Sequence, residues 1–279
     1  MNYYFLNVSL FSLFSLFSLF SLFFLIICII SKLFIISLIA AYSKQEGSFI
    51  LKCSTKPSDK QTLGEEIANA ISHGLMIPLG FFILVCFCLK TSSMSNPNGY
   101  IVLVFSISMI ILYLMSTLYH SLSFTKAHNF FQKTDHISIY LLIWGTFTPI
   151  LLLLPELQKP LFALASVPIS KGQFFFVCQC ILVFSGIICK VFWMNKGKII
   201  HLIFYALLGW SGLLLVPAMW ETNIFYFVLL GGVFYSLGIY FYIKDNKKYF
   251  HFIWHLFVIA GTCFHAWGIY CLLEILPKN

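Results

Sequence analysis

The run YIVLVFSISMIILYLMSTLYH, Tyr100–His120, holds twenty-one residues without one Asp, Glu, Lys or Arg. At about 1.5 Å of rise per residue, a helix of that length covers roughly 30 Å, the hydrocarbon depth of a bilayer. Its backbone must be helical there, because unpaired amides find no partner in lipid. Six more apolar runs of similar length are long enough to cross in the same way: Asn69–Leu89, Asp135–Leu154, Phe174–Trp193, Ile199–Met219, Asn223–Ile243 and Phe250–Leu273. None alternates apolar with polar residues, and each is about twice as long as a barrel strand. The reading is an all-α membrane protein, a seven-transmembrane helix bundle with an additional N-terminal hydrophobic helix.

Composition points to the same solvent. Hydrophobic residues make up 60% of the 279 and charged residues only 9%, and the mean hydropathy is +0.93, values that water does not accommodate in a soluble fold. All seventeen basic residues are Lys, and the formal net charge is +8. Because these lysines stand between apolar runs, they imply contact with anionic lipid headgroups and no nucleic-acid partner. Lys44, Lys52, Lys56, Lys60, Lys126, Lys133, Lys190, Lys196, Lys198, Lys244, Lys247 and Lys248 flank the side on which the first of the seven spans starts. Lys90, Lys159, Lys171 and Lys278 flank the other. Twelve against four places the start of that span in the cytoplasm and the carboxyl terminus outside it. The nine cysteines fall mostly inside apolar runs and never at a CxxC spacing, as expected of small apolar residues without a disulfide framework.

Residues 1–43 read as a hydrophobic low-complexity leader. Ser9–Phe23 is five copies of Ser-Leu-Phe, a period of three that matches no helical packing face. It has no basic residue before its apolar run and exceeds a usual signal h-region, which favours a retained anchor, with cleavage near Ala40 and Ala41 as the alternative. Residues 44–65 form a polar linker, and 66–279 the membrane domain.

Polar chemistry collects at the ends of the spans. His251 and His255 are four residues apart, so a helix stacks them on one face in a geometry suited to one divalent ion. Ser116 and His120 repeat that spacing at the end of the second span, and Asp135 opens the third. With alternating crossings all of these reach the cytoplasmic side. The sharp reading is a Zn²⁺ held by His120, His251 and His255, with a water as fourth ligand and Asp135 beside it. Imidazole suits Zn²⁺ better than Mg²⁺ or Ca²⁺, although Fe²⁺ and Co²⁺ use the same donors. Each piece also has a plainer reading: an interfacial His pair, an N-cap for Asp135, and a backbone hydrogen bond for Ser116. Glu66, Asn69 and His73 share a face at the start of the first span, either as a capped, snorkelling helix end or as hydrogen-bonding supports for a metal ligand. His265 lies ten residues, about 15 Å, beyond His255 and reads as an internal hydrogen-bonding residue that supports the site without sharing its ion. His128, His136 and His201, at loop or helix-end positions, rank lower.

Together these residues form a known pattern. Gly64-Glu-Glu-Ile-Ala-Asn-Ala-Ile-Ser-His-Gly74 resembles the first-helix motif of the hemolysin III family, within the progestin and adipoQ receptor superfamily. Ser116-Thr-Leu-Tyr-His120, with Asp135 through Pro149, resembles its second and third helices, and His251 through Gly261, with His265, its seventh. The resemblance covers residues 60 to 273, and the leader departs from the compact family pattern. It implies a seven-helix bundle around a zinc ion held at the positions of His120, His251 and His255, with Asp135 as the acidic residue and Ser116 as the motif serine.

Three functions are open at this point. Alkaline ceramidases belong to the wider superfamily, so one is a zinc-dependent hydrolase of amide-linked lipid in which Asp135 moves the proton and Ser116 orients the water or the oxyanion. The family name suggests a second, a pore-forming homo-oligomer that permeabilises membranes. A third is a receptor-like protein with a structural zinc.

Overall fold

The computed structural model describes residues 61–277 apart from 95–96, 165–166 and 194–197. The leader and nearly all of the polar linker therefore lie outside the described residues. The first helix, α1 (Leu63–Gly74), starts at a capping box: Glu65 N–H donates to Thr62 Oγ1 at 3.4 Å, and Thr62 N–H to Glu65 Oε2 at 2.9 Å. The helix thus begins three residues before the expected domain boundary at 66. Its faces are reversed relative to those of a helix in water. Leu63, Ile67, Ile71 and Leu75 point outward, while Glu65, Glu66, Asn69, Ser72 and His73 are buried, as suits a helix whose solvent is lipid and whose interior holds a polar site.

A break at Leu75 separates α1 from α2 (Met76–Ser92). Pro78 has no N–H to give the Gly74 carbonyl, which accounts for the interruption. There follow α3 (Leu103–Ser121), entered through the 3-10 turn Pro97–Val102, and α4 (His128–Leu153). The antiparallel hairpin β1 (Pro160–Leu164) and β2 (Val167–Ser170) leads into α5 (Lys171–Trp193). Next come α6 (Lys198–Trp210), the 3-10 turn Ser211–Leu215, the short α7 (Val216–Met219), α8 (Asn223–Ile243) and α9 (Phe250–Ile275).

Seven of these stretches are long and apolar enough to cross a membrane: Leu63–Ser92, Asn98–Ser121, His128–Leu153, Lys171–Phe192, Ile200–Met219, Asn223–Ile243 and Phe250–Ile275. The protein is an all-α, multi-pass membrane bundle. The sixth span has the bounds expected from hydropathy. The start of the third shifts most, because α4 starts at His128, not Asp135. The polar segment His128–Thr134 is compatible with a helix and lies at the rim, so hydropathy misses it. Asp135 is consequently two turns inside the helix, which excludes the plain N-cap reading.

The third span is central, with 67% of its most apolar window buried against 17% for the sixth. Gly145 lets it approach α3, since a Cβ there would stand 2.0 Å from Ser108 Oγ. Phe105, Met109 and Leu112 of α3 pack with Phe147, Ile150 and Leu151 of α4 and with Ile269 and Leu272 of α9. At one end, Lys90 of α2 pairs with Glu274 of α9. The other end gathers the start of α1, the end of α3, the start of α4, the end of α5 and the start of α9.

Candidate metal centre

Span seven enters this polar end by an unusual backbone step. Tyr249 has a φ of 62°, in the left-handed region that a tyrosine seldom adopts, and its N–H donates to Glu65 Oε1 at 2.7 Å. One residue of α1 therefore caps its own helix and fixes the start of α9. His251 and His255 follow, one turn apart, with ring centroids 4.8 Å from each other. His120, in the last turn of α3, faces both, at 5.1 Å and 4.9 Å between centroids.

One nitrogen from each of His120, His251 and His255 lies within 4.8 Å of the other two. Imidazole nitrogens sharing a tetrahedral Zn²⁺ stand about 3.3 Å apart, as Zn–N bonds near 2.0 Å require, so small side-chain rotations close the triangle. Hydrogen bonding on the far side of the rings sets the right tautomers. His120 Nδ1–H donates to Glu66 Oε2 at 2.7 Å, leaving Nε2 as a lone pair, and that Nε2 is buried without a hydrogen-bond partner. Ser72 gives its hydroxyl proton to the Asn69 carbonyl at 2.8 Å, so it accepts from His255 Nδ1–H at 3.1 Å. His255 Nε2 is thereby left as an acceptor. Metal-binding histidines ordinarily have their second ring nitrogen held in this way.

A second layer supports these rings. His73 stacks on His255 and meets Tyr113 edge-on at 4.9 Å. Its Nδ1 lies 2.7 Å from Ser116 Oγ, and Ser116 also hydrogen-bonds the Asp135 carboxyl. The hydroxyl of Ser116 thus links His73 to Asp135, with no bond to the backbone carbonyl one turn back. Asp135 is half-buried and is not a member of the three-histidine group. Asn69 contributes its carbonyl to Ser72 and its side-chain amide to Gln61 at 2.5 Å. His265 is held elsewhere: its Nε2 faces the Val228 carbonyl at 3.2 Å and its ring lies against Tyr235. The lower-ranked histidines also belong to other contacts, His128 beside Tyr119, His201 Nδ1 at 3.3 Å from the Tyr140 hydroxyl, and the His136 carbonyl accepting from Tyr205.

Two contributors escape sequence reasoning. Ser72 sits three residues after Asn69 on the same face, a spacing that could have singled it out. Lys190 reads as a flanking charge, yet it is only 3% exposed and lies in the electrostatic range of Asp135.

An apolar cavity of about 150 Å³ lies among spans three, five, six and seven. Leu202, Trp210, Leu213, Val228, Leu229 and Ile239 line its length. Ile139, Tyr205, Tyr242 and Trp254 line it together with them, and Ile139 stands one turn beyond Asp135.

The chain is similar to known proteins over most of its length. A family model described as "Haemolysin-III related" matches residues 61–266. Hemolysin-3 of Bacillus cereus is 33% identical over 222 residues, which cover 78% of this chain and 94% of that protein. The Hemolysin-3 homolog of Bacillus subtilis (strain 168) is 33% identical over 224 residues, covering 78% and 97%. Monocyte to macrophage differentiation factor of Homo sapiens is 27% identical over 227 residues, covering 79% and 89%. A membrane bundle whose histidines converge at one end, matched along most of its length by such relatives, belongs to the haemolysin III family.

Proposed function

We propose that this protein is a zinc-dependent hydrolase of amide-linked lipid, working at the end of the bundle that the lysine distribution assigns to the cytoplasm. The observation that carries the reading is the buried, unpartnered Nε2 of His120 aimed into a three-imidazole group. An apolar cavity has Ile139, one turn beyond Asp135, in its lining. Three imidazoles leave a fourth position for water or substrate, as in catalytic rather than closed structural zinc sites.

His120, His251 and His255 would hold the ion. Zn²⁺, when bound, activates a water at neutral pH and polarises an acyl carbonyl. The remaining work falls to the chain. Glu66 and Ser72 keep His120 and His255 in the metal-binding tautomer. Asp135 takes the proton of the attacking water and returns it to the departing amine. Ser116, tied to both His73 and Asp135, holds the carboxyl in place for that transfer. The cavity among spans three, five, six and seven takes the acyl chain from the bilayer and keeps bulk water away.

The reading is tested by incubating purified protein with a fluorescent N-acyl lipid. Cleavage by the zinc-loaded wild type, lost in His255→Ala, is expected. Equal cleavage by a zinc-free variant contradicts it.

A further inference from the structure

Hydropathy leaves the stretch between the third and fourth spans to water, yet Pro160–Ser170 holds no Asp, Glu, Lys or Arg. It forms the hairpin of β1 and β2, with Pro160 opposite Ser170 and Leu164 opposite Val167. Leu161, Phe162, Ala163, Val167 and Pro168 are all exposed. Two strands cannot cover their own apolar side chains, so an isolated hairpin of this composition is at best marginal in water.

The hairpin is fixed to the bundle at both ends. The Gln158 amide closes the end of α4, donating to the Leu151 and Leu154 carbonyls at 3.1 Å and 3.3 Å. Lys171 N–H shuts the base of the hairpin on the Lys159 carbonyl at 3.1 Å. Ser170 N–H donates to Gln173 Oε1 at 2.9 Å and Gln173 N–H to Ser170 Oγ at 3.1 Å, a reciprocal cap at the start of α5. Gly172 makes this corner tight, since a Cβ there would overlap the Leu151 carbonyl.

Phe162 shows which way the hairpin faces. Its ring stands edge-on to Phe174, centroids 6.1 Å apart. Phe174, Val177 and Ile181 follow one another at helical spacing on α5 and are exposed, which makes them part of the lipid-facing side of the fourth span. Phe162 therefore continues the lipid-facing surface past the end of that span. Its depth is bounded from both sides. Exposed apolar side chains favour leaving water, whereas the outer edges of a two-stranded sheet carry unpaired amides and carbonyls that hydrocarbon does not accept. The boundary between headgroups and acyl chains satisfies both.

We propose that this hairpin is a membrane-interface anchor, which lays Leu161, Phe162 and Val167 into the headgroup–acyl boundary at the end of the bundle opposite the histidines. No charged residue of Pro160–Ser170 takes part, so the partner is the lipid boundary itself and not one kind of headgroup. Anchored there, the hairpin fixes the depth of α4, whose other end carries Asp135.

The test is depth-dependent quenching on the full chain, held as single copies in phosphatidylcholine nanodiscs, with a genetically encoded fluorescent amino acid in place of Phe162. The quenchers are aqueous iodide and lipids spin-labelled on the headgroup, on the upper acyl chain or at the chain end. Quenching is expected to be strongest from the headgroup or upper-chain label, with loss of most of the iodide quenching that the free amino acid shows in buffer. Iodide quenching as strong as in buffer places the hairpin in water and overturns the proposal. Strongest quenching from the chain-end label does so too, by placing it in hydrocarbon, as does shielding from iodide without quenching by any lipid, which means that protein covers it. Leu161→Ser combined with Val167→Ser is expected to restore iodide quenching of the same reporter, and an unchanged depth contradicts the anchoring role. The reporter in the otherwise unaltered chain decides even where the double variant does not fold.

Discussion

His73 lies face to face with His255, ring centroids 3.6 Å apart and planes 11° from parallel. The first span thereby props one ring of the three-histidine group on the seventh, and the same His73 reaches Ser116 on the second. Replacing His73 with Ala removes both supports without removing a ligand. The expected result is a loss of zinc affinity of about 10-fold, the lower end for a ligand's supporting partner, measured by competition with a chromophoric chelator. Unchanged affinity contradicts the supporting role.

Glu66 acts on the other side of the centre, as acceptor for His120 Nδ1–H. Glu66→Ala is expected to weaken zinc binding by about 10- to 100-fold. Glu66→Gln retains more, because its amide oxygen still accepts from the ring. Equal effects of the two substitutions count against tautomer control.

The cavity can be filled without touching the centre. Nothing stands within 4 Å of a Cβ built at Gly232 of α8, and Gly232 lines the cavity. Gly232→Leu also suits a helix better than glycine. Zinc content and melting temperature are expected to hold, while turnover of a long-chain amide falls roughly tenfold, as for an ill-fitting hydrocarbon in a pocket. Full turnover places the acyl chain elsewhere.

Gly186 offers the opposite case, a site with no room. Its Cβ would stand 2.3 Å from Tyr140 Cε1, so Gly186→Val must part α4 from α5. The cost of such overpacking is about 1–3 kcal/mol, read as a lower melting temperature in detergent. A variant as stable as the wild type shows that these helices separate freely.

The span count and the His251–His255 pair are legible in the sequence because each rests on local pattern, twenty apolar residues in one case and an i, i+4 spacing in the other, while His120 joins the pair through the alternation of crossings. Helix starts are less so. Asp135 marks where hydropathy rises, whereas the helix begins at His128, since polar residues at a bundle rim need not end a helix. Ser72 cannot be read as a partner of His255 from local sequence, because 183 residues separate them and only packing of α1 on α9 joins them. Lys190 counts as a topological flank by position, and only the close packing at Gly186 shows it turned inward.

Elemental analysis of the purified protein, wild type beside His120→Ala, His251→Ala and His255→Ala, tests the central claim most directly. One zinc per wild-type chain, with each substitution depleting it, is the expected result. A wild type without stoichiometric zinc after purification in zinc-supplemented buffer, or full occupancy in all three variants, contradicts it.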